Sequence, residues 1–298
     1  MSSINELQSR FGSENVNFYA GPGGFTAVKL SNASGEATLT LYGAHVMSYT
    51  PAGAVPVLWM SGKSMFTAGE PIRGGIPVCW PWFGPDVTGR FGGHGYARVS
   101  LWQMTAAAQT SAGETSVTLT LTDKDVDTKF APQPFKLELT VTLGAALNVS
   151  LKIYNTGSTE LAYSGALHSY FNVVDSSAIK VSGLEDCEYS DKVLNVEGVQ
   201  SGAIVIDREI DRVYRRTSGV VSVEDPGFKR VIKISKSGST STVVWNPWIE
   251  KSQKMPDFGD EEYHTMVCVE AANASAAADD RVLAPGAAAE LSQTISIA

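Results

Sequence analysis

The sequence predicts a mostly β protein, a large antiparallel β-sandwich, on three observations. Apolar and polar residues alternate with a period of two over long stretches such as 137–143, which is typical of strands with one buried face. Clusters of Gly, Pro, Asn, Asp and Ser separate these stretches, as turns do. The regular alternation of strands and helices that marks a parallel sheet is absent. We therefore expect packed antiparallel sheets.

The first predicted element is a short helix over residues 4–11, INELQSRF. Ile4, Leu7 and Phe11 recur at helical spacing and would lie on one face. No later segment shows an equally clear helical pattern, so we expect the rest of the chain to be built from strands and loops.

Three alternating runs, 117–122, 137–143 and 147–153, predict the clearest strands. Gly144-Ala145-Ala146 separates the last two and suits a hairpin turn. Further strand candidates, bounded by turn residues, are 36–42, 219–224, 230–235, 241–245, 265–270 and 290–297.

The chain shows neither an internal repeat nor a linker rich in Pro, Gly or Ser. At 298 residues it is long enough to bury a sizeable core. We therefore expect one domain over residues 1–298.

Charge and cysteine content exclude several classes of protein. The formal net charge is -8, so the molecule as a whole repels nucleic acid and anionic membranes, and an anionic ligand would need local positive charge. Cys79, Cys187 and Cys268 are widely spaced and odd in number, which argues against a disulfide framework or a cysteine zinc site. The N-terminal residues do not resemble a signal peptide, and no apolar stretch approaches the length of a membrane span. We expect a cytoplasmic protein without nucleic-acid or membrane partners.

The segment 70–98 is the least strand-like and holds three arginines. Arginine forks match phosphate oxygens, so a local anion site is one interpretation. Arg73 and Arg98 flank the segment and are the preferred anion contacts, whereas Arg90 is less certain. The alternative for any single arginine is a solvated or ion-paired side chain.

Trp80 and Trp82 in the same segment offer flat apolar faces that could pack on a sugar ring. Aromatic residues also dominate protein cores, so each tryptophan could equally be a core or rim residue.

The four histidines are His45, His94, His168 and His264. Small neighbours in Gly93-His94-Gly95 leave the His94 ring accessible, and His168 ends an apolar run. No pair has the spacing of a metal-binding motif, so no metal site is expected.

Glu270 follows the apolar run 266–269 and precedes two alanines, so its carboxylate should be partly buried. Burial would raise its pKa and suit it to act as a general base near neutral pH. A buried ion pair with an arginine is the structural alternative. Asp211 lies in a loop of mixed charge and would be unremarkable alone.

Six segments together resemble the aldose 1-epimerase superfamily, and within it the D-hexose-6-phosphate mutarotase branch. They are IRGGIPVCWPWFGP (72–85), HGYAR (94–98), GALHSYFNV (165–173), DRVY (211–214), WNPW (245–248) and VCVEAANA (267–274). The first and the last are long and specific, and all six occur in the expected order.

The resemblance implies a galactose-mutarotase type of β-sandwich that interconverts the α and β anomers of a hexose 6-phosphate. It implies that Glu270 is the general base and His168 the general acid. The substrate-binding residues that it implies are His94, Asp211, Arg73, Arg98 and Trp248. The reaction needs neither cofactor nor metal, because one carboxylate and one imidazole suffice to open and close the sugar ring.

Two other functions would fit parts of this pattern. A non-catalytic sugar- or sugar-phosphate-binding sandwich would need the aromatic residues and arginines but no placed Glu/His pair. A glycoside hydrolase would need two carboxylates, for which Glu270 and Asp211 are the candidates. The six-segment resemblance argues against the hydrolase, and the non-catalytic binding protein stays the alternative function.

Overall fold

The computed structural model describes residues 2–110, 112–130, 132–274 and 281–298. Strands dominate this part of the chain, and all the strand pairings within its sheets are antiparallel. The strands are β1 (Val16–Ala20), β2 (Thr26–Asn32), β3 (Gly35–Thr40), β4 (Val46–Pro51), β5 (Val78–Cys79), β6 (Gln103–Gln109), β7 (Thr115–Thr122), β8 (Phe135–Leu143), β9 (Leu147–Asn155), β10 (Leu161–Tyr163), β11 (Gly165–Leu167), β12 (Tyr170–Asn172), β13 (Lys180–Ser182), β14 (Glu188–Asp191), β15 (Val196–Val199), β16 (Ile210–Arg215), β17 (Val221–Asp225), β18 (Arg230–Ser237), β19 (Ser241–Asn246), β20 (Met266–Asn273), β21 (Arg281–Leu283) and β22 (Ala288–Ile297).

Two α-helices accompany the strands in the described ranges, α1 (Ile4–Phe11) and α2 (Trp248–Lys254). The helix α1 confirms the prediction for residues 4–11. Ser3 and Glu6 form a capping box at its start, which satisfies backbone N–H groups that have no partner within the helix. The short α2 was not predicted from the sequence. Neither helix has the length and apolar content needed to cross a bilayer.

Two eight-stranded sheets form the body of the sandwich. The outer sheet has the strand order β13-β17-β18-β22-β9-β8-β7-β6. The site sheet has the order β15-β14-β16-β19-β20-β11-β5, and β12 also pairs with β20. A four-stranded sheet of β1 to β4 and the two-stranded pair β10·β21 complete the architecture.

The outer sheet follows the alternation seen in the sequence. On β8, every second residue from Phe135 to Leu143 is buried, while the residues between them are partly exposed. These side chains join one hydrophobic core with Val244 and Val269 from the site sheet. The shared core confirms the predicted sandwich. Burial of each such side chain contributes about 1.5–3 kcal/mol, which explains why apolar residues alternate so regularly with polar ones on these strands.

The central strands of the site sheet are buried on both faces, since every residue of β19 and β20 is buried. Asp211 on β16 pairs with Trp245 on β19, and Val243 on β19 pairs with Glu270 on β20. Trp245 and Val243 are two residues apart, so they and their partners point to the same face of the sheet. This face bears the candidate site, while the opposite face packs into the core.

Candidate active site

A cavity of about 530 Å³ opens on that face of the site sheet. Six of the seven side chains singled out by the sequence line it, although they come from distant parts of the chain. These six are Arg73, His94, Arg98, His168, Asp211 and Glu270.

Glu270 and His168 are in contact at the cavity wall. His168 Nε2 lies 3.4 Å from Glu270 Oε1, and the Glu270 side chain is only 1% exposed. The His168 ring stacks on Tyr170, with 4.8 Å between ring centroids, and its backbone N–H donates to the carbonyl of Pro77. The second carboxylate oxygen of Glu270 is buried and has no hydrogen-bond partner among the described residues. Glu270 therefore keeps an unused acceptor next to the cavity that it lines.

The surroundings of this pair shift the two pKa values in opposite directions. Burial raises the pKa of Glu270 well above its usual value, and the nearby charge of Asp211 adds to that shift. Burial likewise holds the pKa of His168 well below its usual value, and the neighbouring His94 and two arginines lower it further. Both shifts favour the uncharged form of each group, so burial disfavours two separate charges on the pair.

The backbone of His94 adopts a left-handed conformation, with φ of +67°. Its Nδ1 accepts a hydrogen bond from the backbone N–H of Gly84 at 3.3 Å, so the proton of the neutral ring lies on Nε2. Burial lowers the pKa of His94 to about 3, which keeps the ring uncharged. His94 is thus a fixed neutral donor, with its ring centroid 5.6 Å from that of His168.

The two arginines at the cavity differ in their partners. The Arg73 guanidinium lies 3.0 Å from the carboxylate of Asp257 and also donates to the hydroxyl of Tyr170. Arg98 donates to the backbone carbonyl of Gly93 at 2.6 Å, and its Nε is buried with no hydrogen-bond partner among the residues that the structure describes. In the described ranges no carboxylate pairs with Arg98. Its positive charge is therefore the one free to attract an anion.

Trp248 is the predicted substrate-binding residue that the structure places outside the cavity. Its backbone N–H donates to Asn246 Oδ1 at 2.8 Å as α2 begins, and its ring packs against Tyr263 at 5.2 Å. Trp245 lines the cavity instead, because the register of β19 turns its side chain to the site face. The tryptophan that lines the site is thus Trp245, three positions before the predicted Trp248.

Trp80 and Trp82 do not line the cavity either. Trp80 is fully buried and packs against Phe135, and Trp82 packs on the rim against Tyr96. The structural alternative left open by the sequence holds for both.

Two lysines at the cavity were missed by sequence reasoning. Lys251 of α2 is paired with Glu209 at 2.8 Å. Lys192 lies in the turn between β14 and β15, with its ammonium 5.3 Å from the centroid of the Phe83 ring. No local sequence signal marks either residue, since only the pairing of the strands brings them to the site.

A metal could in principle approach His168, Cys268 and Glu270, whose ligand atoms lie within 4.8 Å of one another. Burial raises the pKa of Cys268 well above its usual value, with Glu270 adding to the shift, so its sulfur stays protonated. A protonated thiol is a poor ligand, and the half-buried Arg73 and Arg98 nearby repel a cation. The cluster is better suited to sharing a proton than to holding a metal.

Comparisons with known proteins agree with this geometry. Residues 26–296 match the model of the aldose 1-epimerase family. A protein of Escherichia coli K12, provisionally named glucose-6-phosphate 1-epimerase, is 34% identical over 265 residues, covering 88% of this chain and 87% of its own. A protein of Cenchrus ciliaris with the same provisional name is 36% identical and covers 84% of this chain and 79% of its own.

Among solved structures, a provisionally named mutarotase from Salmonella typhimurium superposes with a TM-score of 0.88 at 31% identity. The match covers 96% of this chain and 94% of that one. The sequence match, the shared fold and the assembled Glu/His site lead to one conclusion: the chain belongs to the aldose 1-epimerase family.

Proposed function

We propose that this protein interconverts the α and β anomers of a hexose 6-phosphate, in the first place glucose 6-phosphate. The observation that carries the proposal is the 3.4 Å contact between His168 and Glu270 in a cavity that the unpaired Arg98 also lines. The two relatives provisionally named glucose-6-phosphate 1-epimerase support the same substrate.

The reaction opens and recloses the sugar ring. The Glu270 carboxylate takes the proton of the C1 hydroxyl, the C1–O5 bond breaks, and C1 becomes an aldehyde. The His168 imidazolium gives its proton to O5, so that no charged alkoxide accumulates. Rotation about the C1–C2 bond presents the other face of the aldehyde. The reverse proton transfers then close the ring to the other anomer.

This cycle needs one proton on the Glu/His pair at every stage. It lies on His168 before ring opening and on Glu270 in the open-chain stage. The directions of the pKa shifts favour the second arrangement in the free enzyme. The free enzyme thus has the proton arrangement of the open-chain stage, with the proton on Glu270. A bound substrate must therefore help move this proton to His168 before the ring opens.

The phosphate group supplies that help. Positive charge on Arg98 and Arg73 is part of what keeps His168 neutral. A phosphate dianion at these arginines would offset that charge and make the imidazolium easier to form. The phosphate would therefore contribute to catalysis as well as to binding, which gives the site a reason to prefer phosphorylated sugars.

Asp211 and His94 complete the sugar site. Burial raises the pKa of Asp211, and its position beside Trp245 suits it to accept hydrogen bonds from sugar hydroxyls. His94 offers its Nε2–H as a neutral donor. Neither a cofactor nor a metal is required by this chemistry. The three free cysteines suit a reducing compartment, and we place the protein in the cytoplasm.

The proposal is tested by measuring anomer exchange of glucose 6-phosphate and glucose by NMR exchange spectroscopy. Glu270→Gln removes the base and His168→Asn removes the acid, each with little change in side-chain volume. We expect each variant to lose about 10²–10⁴-fold in exchange rate because one proton transfer is no longer assisted. Thermal unfolding midpoints near that of the wild type would show that the fold is intact.

Two outcomes would contradict the proposal. A variant that exchanges anomers at close to the wild-type rate would show that the assigned pair is wrong. Wild-type protein that binds glucose 6-phosphate without accelerating its exchange would instead be a sugar-phosphate-binding protein.

A further inference from the structure

The turn that follows β14 fixes the backbone of Lys192 at the cavity, and the Lys192 side chain is exposed. The carboxylate of Asp191 accepts hydrogen bonds from the backbone N–H groups of Val193 and Leu194 at 3.1 and 3.0 Å. It also accepts from Arg212 Nε at 2.9 Å. Asp191 and Arg212 are both buried, so their hydrogen bonds fix the backbone of the turn that carries Lys192.

The position of Lys192 is further set by the strand that carries Asp211. The backbone N–H of Lys192 donates to the backbone carbonyl of Asp211 at 2.8 Å. The Lys192 ammonium lies over the ring of Phe83, which stands edge-on to His94 with 4.7 Å between centroids. Lys192, Asp211 and Glu270 line the same cavity.

Lys192 differs from the other lysine of the cavity in lacking a carboxylate partner. Lys251 is paired with Glu209 at 2.8 Å. Across the described part of the chain, no carboxylate lies within 4.0 Å of the Lys192 ammonium, and none of the basic side chains of Lys or Arg lies within that distance of Asp211 or Glu270. Lys192, like Arg98, is therefore a cation without a carboxylate partner, and it shares the cavity with two carboxylates that have no lysine or arginine partner of their own.

We propose that Lys192 is a positioning residue for the acid/base chemistry, whose ammonium group stabilises Glu270 as the carboxylate that takes the C1 hydroxyl proton. This inference rests on the proposed function and adds a residue to it. Lys192 acts through the charge that it places near Glu270, and it moves the shared proton toward His168, where ring opening needs it.

The charges around Glu270 support this role. Titratable and charged groups from several elements lie around it. They are Cys268 of β20, Asp211 of β16, Lys192, His168, Tyr170 of β12, Cys79 of β5, Lys251 of α2, and His94, Arg73 and Arg98 of the segment 70–98. After burial, Asp211 is the main cause that raises the pKa of Glu270, and Lys192 is the cation that opposes it. Lys192 also opposes the raised pKa of Asp211.

The test is the pH dependence of kcat/KM for anomer exchange in Lys192→Met. Without the cation the carboxylate of Glu270 is less stable, so its pKa rises and the base is ionised only at higher pH. We expect the acid limb of the profile to move to higher pH by about one unit. Lys192→Arg should restore the limb toward its wild-type position because it restores the charge. Lys233→Met, an exposed lysine on the outer sheet, is the matched control and should leave the profile in place.

An unmoved acid limb in Lys192→Met would overturn the inference. So would a defect limited to phosphorylated sugars, because Lys192 would then be a phosphate contact. Titration of the Glu270 carboxyl carbon by ¹³C NMR, assigned by comparison with Glu270→Gln, tests the same point without catalysis. The pKa of Glu270 should be higher in Lys192→Met than in the wild type, and equal values would reject the proposal. If the wild-type enzyme exchanged no sugar, the proposed function would be rejected. The titration would still show whether Lys192 lowers the pKa of Glu270.

Discussion

Arg73 and Arg98 flank the same segment, yet their partners decide what each can do. Asp257 already compensates the charge of Arg73, so the Arg73 guanidinium contributes to the stability of the fold as well as to the cavity. An ion-paired side chain was the structural alternative for each arginine, and Arg73 is ion-paired. Among the described residues, the guanidinium of Arg98 has only the carbonyl of Gly93 as a hydrogen-bond partner. Its half-buried charge therefore gains most from an anionic ligand.

Arg98→Ala should reduce the preference for phosphorylated sugar. A charge-assisted hydrogen bond contributes about 1.5–3 kcal/mol, so the ratio of kcat/KM for glucose 6-phosphate to that for glucose should fall by about 10–10²-fold. In the wild type we expect that ratio to be at least about 100. Steady-state rates on both sugars measure it.

Arg98→Lys is the matched control, since it keeps the charge and should lose less of the ratio than Arg98→Ala. Arg73→Ala should lower the free energy of unfolding as well, because it leaves Asp257 buried without its partner. An unchanged ratio in Arg98→Ala would contradict the phosphate-site assignment.

The loop that carries His94 shows how an element sets the direction of a side chain. His94 and Gly95 both have positive φ, and Gly95 packs directly against the backbone of Trp80. A Cβ at Gly95 would lie 2.0 Å from the Trp80 carbonyl oxygen. Glycine is therefore required at this position so that His94 can face the cavity.

Gly95→Ala should destabilise the protein and lower its activity. The left-handed conformation and the close approach to Trp80 together should reduce the free energy of unfolding by about 2 kcal/mol or more. Urea denaturation measures this loss. Gly92→Ala in the same loop is the control, since a Cβ there has no atom within 4 Å. Equal stabilities of the two variants would contradict this account of the loop.

Across the whole molecule, the net charge of -8 opposes the binding of an anion, so the cavity must supply the attraction locally. The free energy of unfolding reports such local binding, because a ligand that binds only the folded state stabilises it.

The family match over residues 26–296 spans most of the chain, while a single domain over 1–298 stays a prediction.

Inorganic phosphate should raise the thermal unfolding midpoint of the wild type. At a concentration of 100 times Kd it would add about 2.7 kcal/mol of stability, a shift of several degrees for a chain of this size. Sodium chloride at equal ionic strength controls for screening, and Arg98→Ala should respond less to phosphate. The same rise with chloride, or in Arg98→Ala, would mean that no phosphate site is being measured.

The sequence by itself determined the fold class, α1, and the strands with one buried face. The runs 117–122, 137–143 and 147–153 became β7, β8 and β9, because a strand that buries one face must alternate. It missed several short strands of the site sheet, such as β11 and β12, which span three residues each and show no usable period. Seven candidate residues could be named because they lie in distinctive segments that resemble a known family, and six of them line the cavity.

Only the tertiary structure decided how those residues act together. The pairings of β16, β19 and β20 put Asp211, Trp245 and Glu270 on one face, although they are up to 59 positions apart in the chain. Trp248 begins α2 and lies outside the cavity, whereas the pairing of β14 with β16 brings in Lys192, which no local pattern marks. Burial then shifts the pKa values of Glu270 and His168 in opposite directions. Asp257 forms an ion pair with Arg73, whereas no carboxylate of the described residues pairs with Arg98. Burial and charge pairing depend on distances between separate strands, and a linear sequence does not contain those distances.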